Sequence, residues 1–265
     1  MKVGIVGCAG RMGRMLVAET LTTESCTLIG GTEHASSAFL GSDLAALAGK
    51  DNVGLVVGSD TAALFAEADV VIDFTLPQTT IDHANAAAKS GTALVLGTTG
   101  LGVAEQMAVD KAVESVTIIQ AANYSVGINL LMALTTQLSG LLDNDYDIEI
   151  VEMHHRHKVD APSGTALALG QAAASGRGVD LESVSERVRD GHTGERTVGD
   201  IGFATLRGGD VVGEHSVVFA TEGERIELTH KASSRTLFAR GAVRSALWCE
   251  GKSAGLYSMA DVLGL

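Results

Sequence analysis

The run Glu149-Ile150-Val151-Glu152-Met153-His154-His155-Arg156-His157-Lys158-Val159-Asp160-Ala161-Pro162-Ser163-Gly164-Thr165-Ala166 concentrates groups that could do chemistry. Histidines, an arginine and a lysine follow a strand-like segment, and a Pro-Ser-Gly-Thr turn then opens an Ala-rich helix. A histidine gives or takes a proton near neutral pH. Cations beside the N–H groups of a helix start make a receptor for carboxylates. Together these residue types suit proton transfer on a small dicarboxylate. Three other readings are weaker. The H-H-x-H spacing lacks two ligands four apart on a helix, and no Cys or carboxylate cluster stands beside it, so no metal is expected. Ser163 near a histidine suggests a hydrolase, but no G-x-S-x-G elbow is present. A basic surface loop would explain one His or Lys, not this density of residues at a helix-opening turn.

A second constellation lies at the N-terminus. The strand-like Lys2–Val6 runs into Gly7-Cys8-Ala9-Gly10-Arg11-Met12-Gly13, a G-x-x-G-x-x-G turn. Such glycines let the backbone approach a pyrophosphate, which the following helix meets with its N–H groups and dipole. Glu33 stands where a ribose-binding carboxylate is expected after the second strand. Arg11 could meet the 2′-phosphate of NADP, or could be a solvated helix-start residue; Glu33 could bind the free 2′-hydroxyl of NAD. Use of NADH or NADPH is therefore expected, with no choice between them. Two more turns, Asp73-Phe74-Thr75-Leu76-Pro77 and Gly97-Thr98-Thr99-Gly100, follow later strands, and both should face the cofactor.

The surrounding pattern supplies elements to hold these groups. Short apolar runs at Lys2–Val6, Cys26–Gly31, Asp69–Phe74, Ala93–Gly97 and Val116–Gln120 alternate with helical patterns at Gly10–Leu21, Thr79–Lys89 and Gly102–Glu114. That alternation predicts an α/β domain, a doubly wound parallel sheet of the Rossmann type. Beyond residue 125 the pattern changes. An apolar helix at Ile128–Leu142, a strand at Tyr146–Met153, a helix at Gly164–Ala174, and interleaved strands at Val211–Thr221 and Arg225–Ala232 predict an α+β domain. A final helix is expected over residues 235–250. We expect residues 1–125 to form the dinucleotide-binding domain, joined again by 235–265. Residues 126–234 should form the substrate-binding and oligomerisation domain.

Composition sets the outer limits. With 46% hydrophobic residues and only 4% aromatics, the chain can build a core but is poor in stacking groups. A net charge of −13 argues against general binding to nucleic acid or an anionic membrane. Three scattered cysteines, Cys8, Cys26 and Cys249, form no disulfide framework, so a reducing cytoplasm is the simplest setting. The N-terminal apolar run leads straight into the glycine turn and is not read as a signal peptide. No apolar stretch reaches the roughly 20 residues that span a bilayer.

The segment HHRHKVDAPSGTA resembles the signature of the 4-hydroxy-tetrahydrodipicolinate (dihydrodipicolinate) reductase family. VGCAGRMG, the GTTG turn and the run Ala121-Ala122-Asn123-Tyr124-Ser125-Val126-Gly127 resemble the same family in the same order, over essentially the whole chain. The resemblance implies NAD(P)H-dependent reduction of a cyclic unsaturated dicarboxylate to tetrahydrodipicolinate, on the route to diaminopimelate and lysine. It implies His154 as proton donor or acceptor and Lys158 as a second donor near a substrate carboxylate. His155, Gly164 and Thr165 would contact substrate. Arg235 is a further carboxylate partner or an ordinary surface arginine. Cofactor contacts would fall at Gly7, Cys8, Ala9, Gly10, Arg11, Met12, Glu33, His34, Gly97, Thr98, Thr99, Ala121, Ala122, Asn123 and Tyr124. A histidine follows Glu33 where family members often carry a more basic residue, which leaves the nucleotide preference open. Tyr124 stands where Phe is also found, without expected consequence. A homotetramer built through the second domain is implied, with 211–221 and 225–232 as its interface strands.

Two rivals remain at this point. A related dehydrogenase of another amino or keto dicarboxylate would share the glycine turn but need not carry H-H-x-x-K before P-S-G-T. A non-catalytic nucleotide-binding regulator would keep the glycines and lose the proton donors, whereas His154 and Lys158 are both present.

Overall fold

Runs of Val, Ile and Leu without polar alternation can be satisfied only by burial on both faces, and the first sheet provides this. The computed structural model describes residues 1–265 as two units, residues 1–125 with 236–265, and residues 126–235. The first unit begins with β1 (Lys2–Val6), α1 (Arg11–Thr22), β2 (Thr27–Thr32), α2 (Leu44–Leu47), β3 (Val57–Gly58) and α3 (Thr61–Glu67). It continues with β4 (Val70–Asp73), a 3-10 turn at Pro77–Thr79, α4 (Thr80–Ser90), β5 (Ala93–Leu96), α5 (Val103–Ala112) and β6 (Thr117–Gln120). All pairings are parallel, and the final strand of the chain (Gly255–Tyr257) adds beside β6. The order from that strand is β6-β5-β4-β1-β2-β3, so the connection reverses at β1 and β4. Open sheets of this kind bind ligands at that switch point, beyond the carboxyl ends of the strands. Every residue of β4 is buried, including Asp73.

The second unit holds α6 (Val126–Leu141), β7 (Asp147–His154), α7 (Gly164–Arg177), α8 (Leu181–Val184), β8 (Ser185–Glu186), β9 (Ile201–Arg207), β10 (Gly213–Thr221) and β11 (Glu224–Ala232). Its mixed sheet runs β11-β10-β7-β9-β8. β10 is antiparallel to both β11 and β7, while β9 lies parallel to β7. The core joins Ile128 and Leu131 of α6, Leu169 and Ala173 of α7, and Ile148, Ile150, Val217 and Phe219 of the sheet. β7 alternates strictly, with Ile148, Ile150, Glu152 and His154 on the buried side. The chain then rejoins the first unit with α9 (Thr236–Trp248), β12 (Gly255–Tyr257) and α10 (Met259–Leu263).

Most element ends lie one or two residues from those predicted, the scatter typical of frayed termini. α7 runs further, to Arg177, where Gly178 closes it in a left-handed conformation at φ +67°. The return to the first unit starts at Thr236, which leaves Arg235 on the second. β9 was not foreseen: IGFATLR shows no sustained in-out alternation, being buried over its first three residues and exposed over the next three, and its partner β7 defines it.

Candidate active site

In the first unit the glycine turn is fixed by close packing. Gly7 takes φ +67°, and a Cβ there would sit 2.6 Å from the Thr75 Cγ2. At Gly13 a Cβ would lie 2.1 Å from the Gly7 carbonyl, so only glycine lets α1 rise this close to the turn. Several turn N–H groups are already used: Gly7 and Cys8 donate to the Thr32 carbonyl and Ala9 donates to Glu33 Oε1 at 2.9 Å. Gly10 caps α1 without a side-chain hydrogen bond, so the N–H groups of Arg11 and Met12 at the first turn have no side-chain acceptor. That uncapped helix start is the group's natural anion receptor.

A cavity of about 520 Å³ opens beside it, and Gly7, Gly10, Glu33, His34, Phe74 and Thr75 are among its walls. The walls thus offer a dinucleotide the N–H donors of a helix start and a carboxylate acceptor. Below the cavity, Asp73 is fully buried. Its Oδ1 accepts from the Thr75 N–H at 2.8 Å, the Thr75 hydroxyl at 2.5 Å and the Thr98 hydroxyl at 3.2 Å, and its Oδ2 pairs with His83 Nδ1 at 2.7 Å. Burial alone would raise this carboxyl; the His83 and Thr75 contacts overturn that and hold it below the usual range. One carboxylate therefore ties together the loops after β4 and β5.

The remaining expected nucleotide residues behave differently. Cys8 and Ala9 are buried and offer only backbone; burial, with Glu33 nearby, pushes the Cys8 thiol up to about 12. Arg11 is exposed, and His34 pairs with the Ser36 hydroxyl at 2.9 Å. Gly97 is required by packing, because a Cβ would strike the Phe74 ring at 2.4 Å. Thr98 is buried on Asp73 and Thr99 is exposed. Ala121, Ala122 and Asn123 follow β6, but the Tyr124 side chain turns into the core. Its hydroxyl lies 2.8 Å from the Ile119 carbonyl and 3.0 Å from that of Leu96, contacts that Phe could not make.

The second unit gathers the other constellation where β7, β9, β10 and the start of α7 meet. Glu152 is 1% exposed. It receives His154 Nδ1 at 2.6 Å, the Ser163 N–H at 3.0 Å and both terminal nitrogens of Arg207 at 2.8 and 3.0 Å. Burial would raise its pKa, but Arg207, His154 and Ser163 hold it low. Burial pushes His154 below the ordinary imidazole range, with Lys158 and Arg207 adding and Glu152 opposing. His215 stacks edge-on to His154 at 5.1 Å, meets the Ser163 hydroxyl at 3.1 Å, and is pushed by burial down to about 4. Ser163 caps α7 by accepting from the Ala166 N–H, and Gly164 and Thr165 are the first two residues of that helix.

Lys158 pairs with Asp160 at 2.8 Å, and its positive charge is felt at His154 and His215. Arg235 comes within 3.4 Å of His155. At Gly164 an added Cβ would meet nothing within 4 Å, so the protein's own packing does not explain this glycine. The histidines at 154, 155 and 157 do not converge: His154 is committed to Glu152, and the rings of His155 and His157 lie 6.2 Å apart. Sequence reasoning gave no role to Glu152, Arg207, His215 or His83. The alternation of β7 could have found Glu152, because residues two apart share a strand face. Arg207 and His83 carried no such local signal.

The fold and the glycine-rich turn place the chain among nicotinamide-nucleotide-dependent oxidoreductases. The chain belongs to the dihydrodipicolinate reductase family: its N-terminal family profile matches residues 1–124 and its C-terminal profile residues 127–263. A 4-hydroxy-tetrahydrodipicolinate reductase of Parvibaculum lavamentivorans is 54% identical over 266 residues, covering 100% of this chain and 98% of that one. One from a Ruegeria species is 52% identical, covering 100% and 99%. The dipicolinate-bound dihydrodipicolinate reductase of Paenisporosarcina sp. TG-14 shares the fold at TM-score 0.79 and 24% identity, with 98% of each chain covered.

Proposed function

We propose that the chain is a 4-hydroxy-tetrahydrodipicolinate reductase, reducing a cyclic unsaturated dicarboxylate to tetrahydrodipicolinate on the route to diaminopimelate and lysine. The observation that carries this reading is the convergence of His154, Lys158 and the start of α7 in one unit of a chain with full-length reductase relatives. Reduced NADH or NADPH, when bound, supplies the hydride. Gly7, Gly10 and the backbone of Cys8, Ala9, Arg11 and Met12 hold the pyrophosphate region. Glu33 and His34 face the ribose, and Gly97, Thr98, Thr99 and residues 121–124 border the nicotinamide.

His154 handles the proton that the reduced ring requires, and Lys158 is the second donor. Lys158, 2.8 Å from Asp160, would meet a substrate carboxylate as a point cation. Gly164 and Thr165 present N–H and hydroxyl donors to a carboxylate at the helix start, with His155 and Arg235 as further partners. Fixed donors aimed at developing charge are worth most when they need no rearrangement.

The chain would act as a homotetramer in the cytoplasm. β11 supports the first part: it is a nine-residue edge strand with Ile226 exposed, the kind of edge another copy covers. No helix is long and apolar enough to cross a membrane.

The test couples the protein to dihydrodipicolinate synthase, fed with aspartate semialdehyde and pyruvate, and follows the reduced-nicotinamide absorbance with NADH and NADPH separately. Oxidation that needs the full mixture is expected. Nucleotide binding without oxidation would remove the reading in favour of a related dehydrogenase or a regulator.

A further inference from the structure

We propose that Glu152, clamped by Arg207 and the Ser163 N–H, is a positioning residue that fixes His154 as its Nδ1–H tautomer and presents Nε2 as the atom that exchanges the proton, with Gly213 keeping that atom uncovered. The inference rests on the reading above, in which His154 handles the proton.

Every group that meets Glu152 other than His154 is an obligate donor: two guanidinium nitrogens and a backbone N–H. A carboxylate so surrounded stays ionised and accepts only. His154 Nδ1, at 2.6 Å, must then carry the hydrogen of that bond. In the neutral ring Nε2 is left with its lone pair, and in the protonated ring it carries the transferable hydrogen while Glu152 stabilises the cation. The arrangement serves proton transfer in either direction.

Arg207 reaches Glu152 from β9, where the parallel register sets it opposite His154. Its guanidinium also donates to the Asp160 carbonyl at 2.7 Å, so the same side chain anchors the loop that carries Lys158. On the far side of the ring, Gly213 opens β10. A Cβ there would stand 3.1 Å from Nε2 and 3.4 Å from the neighbouring ring carbon. Its backbone is not left-handed, so conformation does not demand glycine. Close packing against the His154 ring does, since a side chain there would crowd Nε2.

The experiment uses the full-length protein in four variants: Glu152→Gln, His154→Ala, the two combined, and Gly213→Ala. Gln keeps the size of Glu152 but removes the negative charge that stabilises protonated His154, and in either orientation it turns an N–H group toward obligate donors. We expect Glu152→Gln to lower kcat about 100-fold with the KM for reduced nucleotide unchanged, and to cost nothing more in the His154→Ala background. Gly213→Ala should lower kcat several-fold with the KM for reduced nucleotide unchanged. Imidazole nitrogen NMR of the wild-type protein should show His154 protonated at Nδ1, a readout that survives any folding defect in a variant.

Protonation at Nε2 in the neutral ring would overturn the proposal. So would a kcat for Glu152→Gln within about twofold of wild type, or an equal loss in both backgrounds, which marks a structural tie. If His154→Ala itself keeps full activity, the role of His154 falls, while the tautomer is still read directly.

Discussion

The Oε1 atom of Glu33 accepts a 2.9 Å hydrogen bond from the N–H of Ala9, so the carboxylate at the end of β2 braces the glycine turn that follows β1. Glu33 lines the cavity beside Gly7 and Gly10. Glu33→Ala should therefore act on nucleotide choice and on the turn together. Hydrogen bonds to charged groups are worth about 1.5–3 kcal/mol. The ratio of kcat/KM for NADH to that for NADPH should fall by about tenfold or more. Steady-state kinetics with both nucleotides checks this; an unchanged ratio would remove Glu33 from ribose recognition.

Gly164 offers a cleaner separation of activity from stability. Its Cβ position is open space at the start of α7. Gly164→Ala should leave the melting temperature unchanged or raise it slightly, since Ala reduces unfolded-chain entropy by about 0.4–1 kcal/mol. The KM for the dicarboxylate should rise. A variant with wild-type KM would make this glycine incidental.

Lys158 is held by Asp160, and its charge reaches His154 and His215. Lys158→Ala should lower kcat about 100-fold or more, the scale of a lost acid–base group. Nucleotide affinity, measured by quenching or enhancement of reduced-nicotinamide fluorescence, should be spared because the glycine turn is untouched. Wild-type turnover would show that Lys158 has no chemical role.

Asp73 is a stability element with a definite pH signature. Its folded pKa lies below the model-compound value of 3.8. A depressed carboxyl contributes stability above its unfolded pKa, and loses it as pH falls through the folded value. The contribution is thus intact at neutral pH and is lost progressively as pH falls from about 4 through the folded pKa. Asp73→Asn should cost about 1–3 kcal/mol at pH 7, roughly 2–4 °C of melting temperature per kcal/mol, and nothing at the acid end. Thermal melts across pH 3–7 check the convergence of the two curves. The variant keeps an Oδ1 acceptor for Thr75 and Thr98 and loses the charge that meets His83, so the KM for nucleotide should change little.

Periodicity and spacing were enough to reveal much of this. The buried runs at Val70–Asp73 and Ala93–Leu96 specify parallel strands because nothing in them tolerates water. Gly7, Gly10 and Gly13 mark a turn that approaches an anion. HHRHKVDAPSGTA places proton donors and a helix start within one loop, because those groups are neighbours in the chain. What stayed hidden was shorter or longer in range. β9 is defined by its pairing with β7, and no local pattern showed that the Tyr124 side chain lies in the core or that Gly97 packs against Phe74.

The sequence by itself determined which chemistry the chain carries and roughly where, since turn geometry, strand alternation and helix capping depend on residues a few positions apart. Only the tertiary structure decided how those groups are tuned. Glu152 meets Arg207 across 55 residues of chain, Ser163 meets His215 across 52, and Asp73 meets Thr98 across 25. These partnerships depend on strand register and burial, where a charge must find its partner or not ionise. No local pattern encodes them.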